Sequence, residues 1–211
     1  MEREERKILE IEQQLNELAL EEQYTLELNQ DIVNQQIKEG LLFIHNQLYE
    51  MKEINFFDHF SIMIPSYFKE MRSEFIKRKY PNENRPYLVY TNYATTVNLT
   101  FSQTMQEVKA NQFEKFVYNT VDTIKRVHPE SCILSDGIIE NSGTEFGYFD
   151  FITPAFDNEV YNYFFLFRNN ERVLFSNVNC PVKDKGLWRT VAYGMMCSMK
   201  DGRETKEVKG E

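Results

Sequence analysis

The segment YNYFFLFRNNERVLFSNV, Tyr161 to Val178, constrains the fold more than any other stretch of the chain. Two runs of aromatic and β-branched residues flank Asn169-Asn170, and asparagine tolerates the positive φ that a two-residue hairpin turn demands. With that turn, Leu166 lies opposite Val173 and Phe164 opposite Phe175 on one face. On the other face Phe167 lies opposite Arg172, Phe165 opposite Leu174 and Tyr163 opposite Ser176. A strand pair largely apolar on both faces must be covered on both. The sequence therefore predicts an α+β fold, a central antiparallel sheet flanked by helices.

Two amphipathic helices are candidates for the cover. From about Asn111 to Val127, Phe113, Phe116, Val117, Thr120, Val121, Ile124 and Val127 share one face, and Pro129 bounds the helix. After Asp184, a potential N-cap, Leu187, Trp188, Val191, Ala192, Met195, Met196 and Met199 form a wide apolar stripe. Strands are expected at about 48–54, 60–65, 87–91, 95–102, 132–140, 144–153 and 159–168, each rich in aromatic and β-branched residues. Residues 67–79 read as a short helix or loop, and the stretch from Pro81 to Pro86 as an exposed turn.

The chain begins differently. Residues 1–40 hold eleven acidic and four basic side chains, a net of −7 out of −9 for all 211 residues. Glu2 to Glu39 contains neither proline nor glycine, and Ile8, Ile11, Leu15 and Leu18 fall on one narrow stripe at spacings of three and four. The stripe then slips to Leu20, Tyr24, Leu28 and Ile32, which predicts a long coiled-coil-like helix broken near residue 22 and stopped by Gly40. The expected organisation is an acidic helical segment at 1–40, an α+β domain at 41–200, and a charged, disordered tail at 201–211. The stripe is either a solvated helix face packing along its own domain or a seam for self-association or a partner's helix.

An acidic chain repels phosphate backbones, so nucleic acid binding is not expected. No run approaches the ~20 apolar residues of a membrane span, and the start lacks a signal-peptide core, which predicts a cytoplasmic protein without membrane insertion. Cys132, Cys180 and Cys197 are odd in number, lack CxxC spacing and suit a reducing compartment. His45, His59 and His128 have neither metal-ligand nor triad spacing, and no glycine-rich phosphate loop is present, so no cofactor or metal is expected. Asp150 interrupts an apolar strand in FGYFDF and reads as a carboxylate at the sheet edge or bonded to a neighbouring hydroxyl.

The order of elements from Phe60 onward resembles the superfamily of PsbP, the Ran-binding Mog proteins, DcrB and the EagR chaperones of type VI secretion. The residues that carry it are FSIMIP at 60–65, NQFEKFVYNTVDTIKRV at 111–127, FLFRNNERVLFSNV at 165–178, and Leu187-Trp188 before the last helix. The resemblance implies a non-catalytic protein-binding module, in its most concrete form a bacterial chaperone or adaptor that holds an apolar or helical segment of a secreted effector. Candidate partner-binding residues are Ile8, Ile11, Leu15 and Leu18 on the N-terminal stripe, which also offers a homo-oligomer seam. Tyr161, Tyr163, Phe165 and Phe167 on the hairpin complete the set. Two rival classes are a hydrolase-type enzyme with converged carboxylates or a Cys/His pair, and a structural subunit assembled by its coiled coil.

Overall fold

The computed structural model describes residues 30–57, 60–104, 107–141, 144–155, 158–169 and 172–201. The expected hairpin lies inside a seven-stranded antiparallel sheet. Its strands, β9 (Glu159–Asn169) and β10 (Arg172–Pro181), sit between β6 (Asn98–Gln103) and β8 (Thr144–Pro154). Asn169 remains in the strand opposite Arg172, so Phe167 faces Leu174 and Leu166 faces Phe175. The register thus differs by two residues from the expected one. Because side chains alternate with a period of two, that slip leaves every residue on its expected face. The sheet is completed by β7 (Cys132–Asn141) beyond β8, and by β5 (Leu88–Thr91) and β4 (Lys69–Glu70) beyond β6.

One face of this sheet is covered as expected by a helix, α3, which spans Phe113–Val127. Its Phe113, Val117 and Val121 pack on Phe149, Phe151, Leu166 and Val173. Gly147 permits the approach, since a Cβ there would collide with the Val117 side chain. Val127, assigned to the same stripe, is 61% exposed at the last position of the helix.

The opposite face departs from expectation. It is covered largely by a second antiparallel sheet, ordered β1-β2-β3-β11: β1 (Leu41–Ile44), β2 (Gln47–Phe56), β3 (Phe60–Pro65) and β11 (Lys200–Asp201). Ile54, Phe56, Phe60, Ile62 and Ile64 are all buried, with the Phe56 ring tilted 33° against that of Phe101 at 4.2 Å and Phe60 edge-on to Phe167 at 5.5 Å. Strands 48–54 and 60–65 therefore form a layer of their own. Asp201, placed at the start of a disordered tail, is paired with Phe60 and buried.

Helix α4, Lys185–Cys197, fills the rest of that face. Asp184 precedes it without a side-chain cap bond among the described residues, contrary to the expected cap, and the chain enters through a 3-10 turn at Val182–Asp184. Trp188 is buried with its ring centroid 5.6 Å from that of Phe68. Ser198 closes the helix, donating to the Met195 carbonyl at 2.6 Å and accepting from the Met63 N–H at 3.0 Å. These bonds tie α4 to β3.

Asp150 is fully buried on the α4 side of β8, inside the sheet and not at its edge. Ser135 donates to its Oδ1 at 2.5 Å, Tyr161 donates to Oδ2 at 2.8 Å, and the half-exposed Arg189 of α4 brings Nε to 3.2 Å. Burial and the adjacent carboxylate push the Tyr161 phenol far up, so it stays a proton donor. The carboxylate thus pins α4 to β7, β8 and β9.

The expected domain boundary at Gly40 falls inside the core. Helix α1, Gln30–Glu39, buries Val33 and Ile37 against α4, while Ile32, placed on the apolar stripe, is 54% exposed. A methyl group at Gly194 would meet Ile37 Cδ1 at 2.5 Å, so the two helices cross at a glycine. Gly40 does stop the helix, with φ of 91°. Ile8, Ile11, Leu15 and Leu18, and the long helix expected through them, lie outside the described residues.

Two outcomes follow from these contacts. A chain starting at Gln30 should unfold cooperatively, whereas one starting at Leu41 should lose about 3–6 kcal/mol for Val33 and Ile37 or become molten. Urea titration compares them, and equal midpoints would place α1 outside the core. Arg189→Leu should cost about 1.5–3 kcal/mol by leaving Asp150 short of its cation. In an Asp150→Asn background that cost should largely vanish, and a coupling near zero in the double-mutant cycle would refute the pinning role.

Candidate functional site

The four hairpin aromatics proposed to bind a partner are not at the surface. Tyr161, Tyr163, Phe165 and Phe167 are between 0% and 4% exposed, packed under α4 and the smaller sheet. Their face of the hairpin is the inner one, so they supply cohesion and offer a partner nothing in this conformation.

The open surface lies at the other end of the sheet, around α2, a seven-residue helix with sequence SEFIKRK at Ser73–Lys79. Only Ile76 is buried from it, packed with Met71 and Val89, so the remaining side chains of a helix this short face outward. Two clefts flank it. The first, about 690 Å³, runs between Ser73 and Lys77 on the helix and Arg85 and Tyr87 opposite, with Ser102 and Phe175 of the sheet as its floor. The second, about 570 Å³, is lined by Arg72, Phe75 and Arg78 above Met71 and Thr91. Tyr87 is 68% exposed and Phe75 is 49% exposed, so each cleft presents an aromatic ring beside cations.

Charge sets this region apart. From residue 69 to residue 85 there are six basic side chains (Lys69, Arg72, Lys77, Arg78, Lys79, Arg85) and three acidic ones (Glu70, Glu74, Glu83), a net of +3 within a chain of −9. Lys79 has a structural task. Its ammonium donates to the Thr95 carbonyl at 2.5 Å and to Asn98 Oδ1 at 3.0 Å, and desolvation draws its pKa below the usual lysine range. Asn98 is itself buried, accepting from Thr91 and donating to Asn179 on β10. Thr95 holds a left-handed φ of 57°, an uncommon conformation for a β-branched residue, which Asn92 stabilises by accepting from the Thr96 and Val97 N–H groups. The polar network fixes α2 over β5 and β6 and leaves Arg72, Lys77, Arg78 and Arg85 to the clefts.

The sequence reading passed over this region because it weighed charge over the whole chain and sought a long basic stripe. A windowed count would have found it, with Phe75, Tyr80 and Tyr87 interleaved among the cations. A second apolar surface, Leu41, Phe43 and Leu48, lies exposed on the β1–β2 hairpin. There the edge is partly closed, since the Phe43 N–H donates to Gln36 Oε1 at 3.1 Å.

The groups considered for catalysis are dispersed. Cys180 and Cys197 are buried and their thiols are pushed up to about 12 and about 11 by desolvation, so both are protonated at neutral pH. His45 sits in the tight β1–β2 turn with φ of 49°, and His128 ends α3 with Nδ1 3.5 Å from Glu130. Of the remaining groups, Asp136 on β7 lies opposite Phe149, and His59 lies outside the described residues. Among the described residues no three His, Cys, Asp or Glu side chains come together as a metal site, and no helix is long and apolar enough to cross a membrane.

No family model and no curated protein matches the sequence. Solved structures do. The cyanobacterial PsbP protein CyanoP from Synechocystis sp. PCC 6803 is similar with a TM-score of 0.54 at 8% identity, over 72% of this chain and 92% of that one. LpqN, involved in cell envelope biogenesis of Mycobacterium tuberculosis, gives a TM-score of 0.46 at 9% identity over 72% of this chain and 90% of its own. PA94 from Pseudomonas aeruginosa gives 0.42 at 11% identity over 70% and 94%. At such identity the likeness speaks for architecture alone: the chain has an α+β fold similar to that of PsbP.

Proposed function

We propose that this protein is a non-catalytic protein-binding module that receives an acidic, aromatic- or aliphatic-containing segment of a partner protein in the clefts flanking α2. The observation that carries the reading is the pairing, in both clefts, of an exposed aromatic ring with cationic side chains on an otherwise acidic chain, Arg72 being also 4.0 Å from Glu74. Apolar side chains of such a segment would cover Phe75 or Tyr87. Its carboxylates would meet Arg72, Arg78, Lys77 or Arg85, while the acidic remainder of the surface repels off-target anions and steers approach to this end. A bacterial chaperone or adaptor for a secreted effector, working in the cytoplasm, is the most concrete form of such a module, and the family resemblance supports it.

Fluorescence anisotropy with defined probes tests the reading. The probes are a labelled peptide of alternating glutamate and leucine, its lysine counterpart, and a single-stranded DNA of matched charge. The acidic peptide should bind, and Arg72→Glu with Arg78→Glu, or Lys77→Glu with Arg85→Glu, should weaken it about tenfold or more. The lysine peptide should not bind. Tighter binding of the DNA than of the acidic peptide would make nucleic acid the ligand and overturn the proposal, as would indifference of the acidic peptide to both charge reversals.

A further inference from the structure

Among the clefts, the one lined by Arg72, Phe75 and Arg78 lies within reach of the most acidic part of the same chain. Residues 1–29 hold nine acidic and three basic side chains, a net of −6, together with Ile8, Ile11, Leu15 and Leu18. The cleft offers the complementary groups, Arg72 and Arg78 for carboxylates and Phe75 and Met71 for aliphatic side chains, with the acid Glu70 also in its lining.

The path is short. Gln30, where α1 starts, donates from Nε2 to the Thr190 carbonyl of α4 at 3.1 Å. Trp188 lies two residues earlier on α4, and its ring centroid is 5.6 Å from that of Phe68. Phe68 is four residues ahead of Arg72, at most ~14 Å of chain. A 29-residue chain spans about 43 Å as a helix and about 95 Å when extended, so it covers this distance in either form.

We propose that residues 1–29 dock in cis on the cleft of Arg72, Phe75 and Arg78, and so compete with an outside acidic segment for it. This rests on the binding reading above and adds regulation to it. The affinity for a partner is lowered by the fraction of time the cleft is self-occupied. It recovers when the acidic segment is engaged elsewhere or its charge is reduced.

Zero-length carbodiimide cross-linking of the full chain, in an equal mixture of unlabelled and heavy-isotope-labelled protein, reads the contact directly. Peptides joining a glutamate of the first 29 residues to Lys69 or Lys77 should form within one isotope class. They should fade at about 0.5 M salt, where screening reaches ~4 Å, and in the Arg72→Glu/Arg78→Glu chain. Mixed-isotope links would assign the docking to a second copy and overturn the proposal in cis, as would links concentrated on lysines of other elements, such as Lys125 on α3 and Lys200 on β11. In parallel, replacing the nine glutamates of residues 1–29 by glutamine should tighten binding of the alternating glutamate-leucine peptide about fivefold, the change expected if the cleft is self-occupied about four-fifths of the time. If the probe binds both chains equally, self-competition fails while the binding site stands. If it binds neither, the binding reading itself fails.

Discussion

Phe165 and Leu166 are consecutive residues of one strand that point to opposite faces, and both are almost completely buried. No surface strand can meet that requirement, so β9 and its partner β10 have to be central, with a hydrophobic layer above and below. Each remaining part of the fold answers to one of those layers. On one side α3 lies flat against Leu166 and Val173, close enough that β8 needs glycine at position 147. On the other, the small sheet and α4 share the job, and α4 in turn needs α1, whose Ile37 crosses it at Gly194.

The same demand explains why a carboxylate is tolerated at the centre. Asp150 faces the α4 side, where a wholly apolar layer would let the helix slide along the sheet. Three donors from β7, β9 and α4 converge on its two oxygens and give the packing a fixed position. Tyr163, next to it in the layer and opposite it in the β8–β9 register, has its phenol strongly raised by burial and by that charge. The polar centre of the layer is thus a locating feature.

How much of this could be read from the sequence follows from what each element depends on. The hairpin faces, α3 and the apolar stripe of α4 are local patterns, and a period of two or 3.6 is visible in any single chain. The second sheet is not local. Whether Phe60–Pro65 joins the hairpin's sheet or stacks upon it depends on pairing with residues 51–56 and on the rings of Phe56 and Phe101, and alternation looks the same in both cases. The boundary at Gly40 was misleading for a related reason: the glycine ends a helix, and a helix end is not a domain end when Val33 and Ile37 point inward. The binding aromatics were misplaced because hydrophobicity alone does not distinguish a core face from a docking face. The cations around α2 were legible, but only as a local excess against an acidic background.

That background gives the clefts their meaning. Outside residues 69–85 the chain carries −12, so the net +3 around α2 is a local reversal of the chain's charge. The fold positions this exception with care. α2 rests on the sheet through a single buried side chain, Ile76, while Lys79 is drawn into hydrogen bonds that hold the helix down. Because one lysine is committed to structure, the position of the helix that carries Lys77 and Arg78 is set by the sheet beneath. A helix held in this way has little backbone freedom left to lose in a binding event, while the exposed side chains of Lys77 and Arg78 keep their rotamer freedom.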